Sequence, residues 1–377
     1  MKKISIFSII SILVIAICSV SIFCYKNYAN KEYYDENITQ YTEQLAYINK
    51  NYSSSDNISK RIIVKSKQEI NDQNAVCKAY GFAGLNILQY SDENMANEAL
   101  KFFKAQNYVE YAKKDSVVKL DDYISYDENY TLDTTKHLSW GSDILGVDAY
   151  QKYILDKYKS ESALDEIFVA ILDTGIDTDN EFLQGKIAYD LGYSFYDSNL
   201  YTEGKSQYNF EDDASHGTHV AGTIVDLNLD NIKLIPIKVL NGEGKGSSAN
   251  VISGIEYVLK LKNDGTNICA LNMSLGGYGE NKEESDALTR CFNANIMPCI
   301  AAGNDSYYVE EASPANTESV LTIASFAQNE KDRLDPVNSY FSNFGSFIDL
   351  SLPGTNILSC VPDETDYKKV YTSKTGG

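Results

Sequence analysis

Apolar positions in the second half of the chain gather into continuous runs: Ile167-Phe168-Val169-Ala170-Ile171-Leu172, Leu234 to Leu240, Ile268 to Met273 and Ile296 to Ala302. Runs without polar alternation predict strands covered on both faces. The stretches between them carry helical spacing. Ala249 to Lys262 sets Val251, Ile252, Ile255, Val258 and Leu259 along one stripe, Glu283 to Asn293 forms a second helix, and another runs from Val147 to about Tyr158. Strand and helix in alternation predict an α/β domain on a mostly parallel sheet with helices on both faces. Ligands of such sheets bind beyond the carboxyl ends of the strands, where this chain has Asp173 after the first run, Ser274 after the third and Asn304 after the fourth.

Upstream the pattern is shorter-ranged. Arg61-Ile62-Ile63-Val64-Lys65, Leu85 to Tyr90 and Tyr108 to Tyr111 read as strands, and Ser91 caps a helix that turns Met95, Ala99, Leu100 and Phe103 to one side. Residues 60–120 are therefore expected to form a small α+β domain. Residues 26–59, rich in Tyr, Asn, Ser and charge, lack apolar periodicity and read as a spacer; 121–136, polar and Tyr-rich, read as an exposed linker. In His137-Leu138-Ser139-Trp140-Gly141, His137 is expected to cap or pack locally. At the other end, Lys2 and Lys3 precede an apolar run from Ile4 to Phe23, so residues 1–25 are a signal peptide or a retained N-terminal membrane anchor. Either places the protein outside the cell or at its surface.

Composition narrows the partners. A chain of 377 residues, 43% hydrophobic with six prolines, is globular, and its net charge of -20 excludes nucleic acid as a partner. Of seven cysteines, Cys18 and Cys24 lie in the export segment, and the others show no metal-ligand spacing. Neither a metal site nor a disulfide framework is expected.

Candidate chemistry centres on Ser215-His216-Gly217-Thr218-His219-Val220-Ala221-Gly222-Thr223, where His216 opens an apparent helix. A helix N-terminus disfavours the imidazolium, so His216 is suited to accept a proton near neutral pH. With Asp173-Thr174-Gly175 before it, and Asn272-Met273-Ser274-Leu275-Gly276-Gly277 and Ala301-Ala302-Gly303-Asn304 after it, the chain from Ile167 onward resembles the subtilisin-like serine proteases. The resemblance implies a subtilisin-like sheet and roles for single residues. Asp173 would orient and stabilise the imidazole, His216 would shuttle the proton, and Asn304 would donate to the oxyanion. Gly244-Lys245-Gly246 and Ser274-Leu275-Gly276 would flank an extended peptide substrate, and Ala301, Ala302 and Gly303 would wall its first pocket. The 60–120 domain resembles the family's propeptide, which would act as an intramolecular inhibitor of a zymogen, with 137–377 the peptidase domain.

The sequence departs from the family in three places. Only about ten residues separate Thr223 from Leu234, too few for the calcium loop of many relatives, so that site is not expected; no cofactor is predicted, with calcium the one open alternative. Asn180-Glu181 replaces the usual His-Pro. No Gly-Thr-Ser-Met-Ala segment occurs, so the nucleophile is missing and the chain as it stands is expected to be inactive. Because Tyr371 to Gly377 aligns with the stretch leading into that motif, these residues are expected to be a piece of a longer chain. An aspartic protease reading of Asp173-Thr174-Gly175 needs a second such motif or a symmetric dimer and gives His216 no task. The alternative from another class is a surface pseudo-protease that binds peptides without cutting them.

Overall fold

The computed structural model describes residues 38–120, 124–126, 137, 139–158, 165–196, 198–204, 206–329, 336–362 and 370–373. The apolar run Ile4 to Phe23, most of the 121–136 stretch and residues 374–377 lie outside them. Among the described residues no helix is long and apolar enough to cross a membrane.

Part of the expected spacer is structured. Ile38–Asn51 is a helix, α1, whose Tyr41, Leu45 and Ile48 are fully buried. Their spacing puts them on one face, but the polar residues around them hide that face from any average over the segment. Strands β1 (Arg61–Ser66), β2 (Cys77–Phe82), β3 (Leu85–Gln89) and β4 (Val109–Lys114) then form an antiparallel sheet in the order β2-β3-β1-β4. Ile62, Val64 and Leu88 face α2 (Glu93–Lys104) with Ala96 and Phe103, while Ile63, Leu85 and Ile87 join the core of the larger unit. Strand β2 was not legible, since Cys77-Lys78-Ala79-Tyr80-Gly81-Phe82 lacks a clean alternation. The cap of α2 is Asp92 rather than Ser91: its carboxylate accepts the Met95 amide at 3.0 Å.

Beyond β5 (Val117–Lys119) and α3 (Val147–Tyr158) comes the main sheet, built from β6 (Ile167–Asp173), β7 (Tyr193–Ser194), β8 (Ile232–Lys238), β10 (Ile268–Met273), β11 (Met297–Ala301), β12 (Leu321–Ala327), β13 (Val337–Asn338) and β14 (Leu350–Pro353), with β9 (Lys245–Ser247) lying outside it. Among the described residues the sheet has eight strands in the order β13-β12-β11-β10-β6-β8-β7, with β14 also on β12, and every pairing except β12 with β13 is parallel. The four apolar runs became β6, β8, β10 and β11. Side chains of β6 alternate between two cores: Ala170 and Leu172 meet α5 (Ser248–Asn263) and α6 (Lys282–Asn293), whereas Ile167 and Ile171 meet Val220 and Ala221 of α4 (His216–Val225). Helices thus cover both faces, as expected of buried parallel strands. In the 121–136 stretch, Ile124–Tyr126 pairs with Val370–Ser373, which pairs with β15 (Ile357–Cys360), so this piece of the expected linker is a strand.

Helix α5 corrects the one-stripe expectation. Besides its apolar stripe, Ser253 and Glu256 are buried, because the main sheet lies below the helix and the β1–β4 sheet above it. Lys65 of β1 reaches the Glu256 carboxylate, which Arg290 of α6 grips at 2.5 and 2.9 Å. Burial pushes that carboxyl up, but the two cations outweigh it and hold it below its ordinary range. Replacing the fully buried Leu271 by Ala should cost about 2–5 kcal/mol, whereas Tyr340→Ser, at a ring that is 82% exposed, should leave the thermal midpoint unchanged. Thermal denaturation of both variants checks this.

Candidate active site

The carboxyl end of β6 and the first turn of α4 meet more closely than side chains normally permit. A Cβ on Gly217 would lie 2.0 Å from the Gly175 carbonyl oxygen, and one on Gly175, whose φ is +110°, would lie 2.3 Å from that of Phe210. Glycine at both places lets the helix seat against the strand end. In that seat His216 Nδ1 stands 2.8 Å from Asp173 Oδ1, which also accepts the Thr174 amide at 2.7 Å. Both side chains are buried. A carboxylate only accepts, so Nδ1 is the donor, and in the neutral ring Nε2 is the basic nitrogen.

A second carboxylate, which sequence reasoning missed, holds this geometry. Ser215 precedes α4 with φ 76° and makes no side-chain cap bond; Asp212 does the capping instead. Asp212 Oδ1 accepts from the amides of Ala214 and Ser215 at 3.0 Å and from Thr174 Oγ1 at 2.8 Å, and its Oδ2 from the Thr218 amide and hydroxyl at 2.9 and 2.6 Å. Thr174 Oγ1 in turn accepts the Gly217 amide at 2.9 Å. An Asp four residues ahead of a helical histidine was the available signal. Lys238, buried at the end of β8, offsets the acidic surroundings by pairing with Asp213 at 2.6 Å and donating to the Thr174 carbonyl.

The two segments expected to flank a groove lie on either side of β5, Gly244 to Gly246 through strand β9 and Ser274 to Gly276 through a single bridge at Gly276, and β5 fills the space between them. β9 pairs antiparallel with β5, matching Gly246 to Val118, and the Leu120 amide donates to the Gly244 carbonyl at 2.9 Å. On the other side the Lys119 amide donates to the Gly276 carbonyl at 3.3 Å. Lys245 is exposed, as an outward side chain of an edge strand should be. Next to Lys119 opens a small cavity lined by Ser274, Leu275, Gly276, Ala301, Ala302, Gly303 and Asn304. The register of β6, β10 and β11 puts Asp173, Ser274 and Asn304 on one edge of the sheet. Asn343, which carried no sequence signal, fixes the loop around Asn304: its Nδ2 donates to the Ala302 carbonyl at 2.9 Å, and its Oδ1 accepts the amides of Asp305 and Tyr307 at 3.0 Å. The other histidines are local: His219 Nε2 meets the Ile357 carbonyl at 3.1 Å, and His137 bridges the Asp226 carbonyl and Asp148.

Behind the helix start, Asp177 is buried and its Oδ2 has no hydrogen-bond partner among the described residues. Burial first, then the charges of Glu211 and Asp212 against a bond from the Asp179 amide, pushes its carboxyl up to about 7. A carboxyl raised above its unfolded value of about 3.9 binds more protons folded than unfolded across that interval, so it costs stability as pH rises from roughly 4 to 7. Asp177→Asn should remove this part: its thermal midpoint should gain on the wild type between pH 5 and pH 8. Parallel curves would show that Asp177 does not titrate there.

Comparison with known proteins agrees with these motifs. The profile of the Subtilase family matches residues 165–377, more than half of the chain. Subtilisin-like protease 1 of Arthroderma gypseum is 31% identical over 232 residues, 59% of this chain and 44% of its own length, and Subtilisin-like protease 3 of Arthroderma otae is 37% identical over 196 residues, 51% of this chain and 45% of its own. The chain thus spans about half the length of the curated relatives it matches. A crystal structure of a cold adapted subtilisin-like serine proteinase aligns with 56% of this chain and 70% of its own, at 28% identity and a TM-score of 0.44. With its profile match, its relatives and its motifs in order, the chain belongs to the subtilase family of serine proteases.

Proposed function

We propose that residues 137–377, together with a serine in the family's Gly-Thr-Ser-Met-Ala segment, which these residues do not include, hydrolyse peptide bonds in protein substrates. The observation that carries this reading is the 2.8 Å contact of Asp173 with His216 beside a groove that holds an extended segment. His216 Nε2 takes the serine proton as its oxygen attacks the carbonyl carbon, then gives that proton to the leaving amine. Asp173 keeps Nδ1 protonated and steadies the imidazolium. Asn304 donates its side-chain amide as the carbonyl oxygen becomes an oxyanion. Main-chain bonds from Gly244 to Gly246 and from Ser274 to Gly276 hold the substrate, and Ala301 to Gly303 wall its pocket. Water then attacks the acyl-serine ester, giving a proton to His216 Nε2 that returns to the serine oxygen as the carboxylic acid leaves.

The same reading makes the protein a zymogen. The segment through Leu120 lies in the groove in the manner of a bound peptide product, so the unit around the β1–β4 sheet inhibits the site until it leaves. Export by the N-terminal segment puts the enzyme outside the cell or on its surface. In a chain carrying the serine segment, His216→Ala and Asp173→Asn should each lower kcat by roughly 10⁴-fold or more. Asn304→Ala should lower it by roughly 10²–10³, the cost of losing one oxyanion donor in a protease of this family. Turnover of a casein substrate measures all three. Near-normal rates for His216→Ala would overturn the reading, and a serine-bearing chain that binds labelled peptides without cleaving them would favour the pseudo-protease.

A further inference from the structure

We infer that α1 is a second anchor of the inhibitory unit, and that the segment in the groove stays seated only while α1 is docked on the peptidase. The inference rests on the proposed zymogen reading and extends it to a helix upstream of the inhibitory sheet. Tyr41, Leu45 and Ile48 fill the space between β2 and α5, with the Tyr41 ring 5.6 Å from that of Phe82. Polar bonds run to the peptidase on one side: Tyr41 Oη to Ser253 Oγ at 2.7 Å, Thr42 Oγ1 to Tyr193 Oη at 2.9 Å, and Asn49 Nδ2 to the Phe195 carbonyl at 3.1 Å. On the other side the Tyr80 amide of β2 donates to Gln44 Oε1 at 3.1 Å.

One line of buried contacts leads from this helix to the groove. Asn49 Oδ1 accepts from Arg61 Nη1 at 3.3 Å, and Arg61 Nη2 donates to the carbonyl of Tyr52, just past the end of α1, at 2.9 Å. Arg61 also pairs with Asp115 at 3.2 Å, and Asp115 Oδ1 accepts the Ala249 amide at the start of α5 two residues before β5 begins. A buried guanidinium is tolerated only while acceptors surround it. Undocking α1 removes two acceptors from Arg61 and loosens the Asp115 contact that positions β5. Two anchors on one rigid unit multiply their effects, so cutting the chain after Leu120 does not by itself empty the groove.

Hydrogen exchange of the full chain tests this at the Lys119 and Leu120 amides. Tyr41→Ala combined with Asn49→Ala should speed exchange there at least about tenfold, while the amides of Ile268–Met273 keep their protection. Unchanged groove amides alongside faster exchange within α1 would overturn the inference. Should the double variant lose the Ile268–Met273 protection, a site-specific cut engineered at Ser53–Asp56 replaces it: exchange at Lys119 and Leu120 must then rise on dilution, and a rate that does not respond overturns the second anchor. Wild-type chain with unprotected Lys119 and Leu120 would instead remove the seated segment, and the zymogen reading and this inference would fall together.

Discussion

How closely the helix beginning at His216 can approach the strand ending at Asp173 governs the arrangement of the whole sheet edge. Neither Gly217 nor Gly175 has room for a side chain, and a methyl group at either place would push α4 off β6. That displacement would separate Nδ1 from the carboxylate and break their 2.8 Å hydrogen bond. Asp212 opposes it by bonding the helix start to Thr174 of the strand end, so strand and helix are tied twice over.

The edge is rich in acid, and the fold manages that charge with buried bonds. Asp173, Asp177, Glu211, Asp212 and Asp213 crowd a small volume, with Lys238 the cation set beneath them. Asp212 and Glu211 are saturated with amide and hydroxyl donors. Burial nevertheless raises the Glu211 carboxyl, and it raises that of Asp177, whose Oδ2 has no partner among the described residues, up to about 7. The same principle recurs above α5, where Glu256 is kept charged by a lysine from one unit and an arginine from another. A buried pair of this kind adds little net stability but penalises any docking that leaves one partner alone, so it fixes how the β1–β4 sheet sits on the unit of the main sheet.

One hydrophobic core includes residues from α1, the β1–β4 sheet and the unit of the main sheet together. Helix α5 is therefore an interior helix in this chain, and its upper face, with Ser253 and Glu256, is shaped to be covered. The β5 segment in the groove extends the same interface, because Asp115 and Ser116 cap α5 immediately before the chain pairs with β9.

Local sequence was enough to determine the parallel strands and the residues at their ends. The runs around Ile171, Ile235, Leu271 and Ile300 have no polar alternation, and period and glycine placement are local properties, so β6, β8, β10, β11 and the positions of Asp173, His216, Ser274 and Asn304 were legible. Segments whose burial depends on distant residues were not. Helix α1 has too few apolar residues to declare a face, and Tyr41 is buried because Phe82 and Ser253 arrive from elsewhere. Strand β2, the capping carboxylate Asp212 and the loop-holding Asn343 are likewise defined by partners far along the chain. Only the tertiary structure could decide them, since a polar side chain's task is set by which donors surround it, and those are brought together by folding alone.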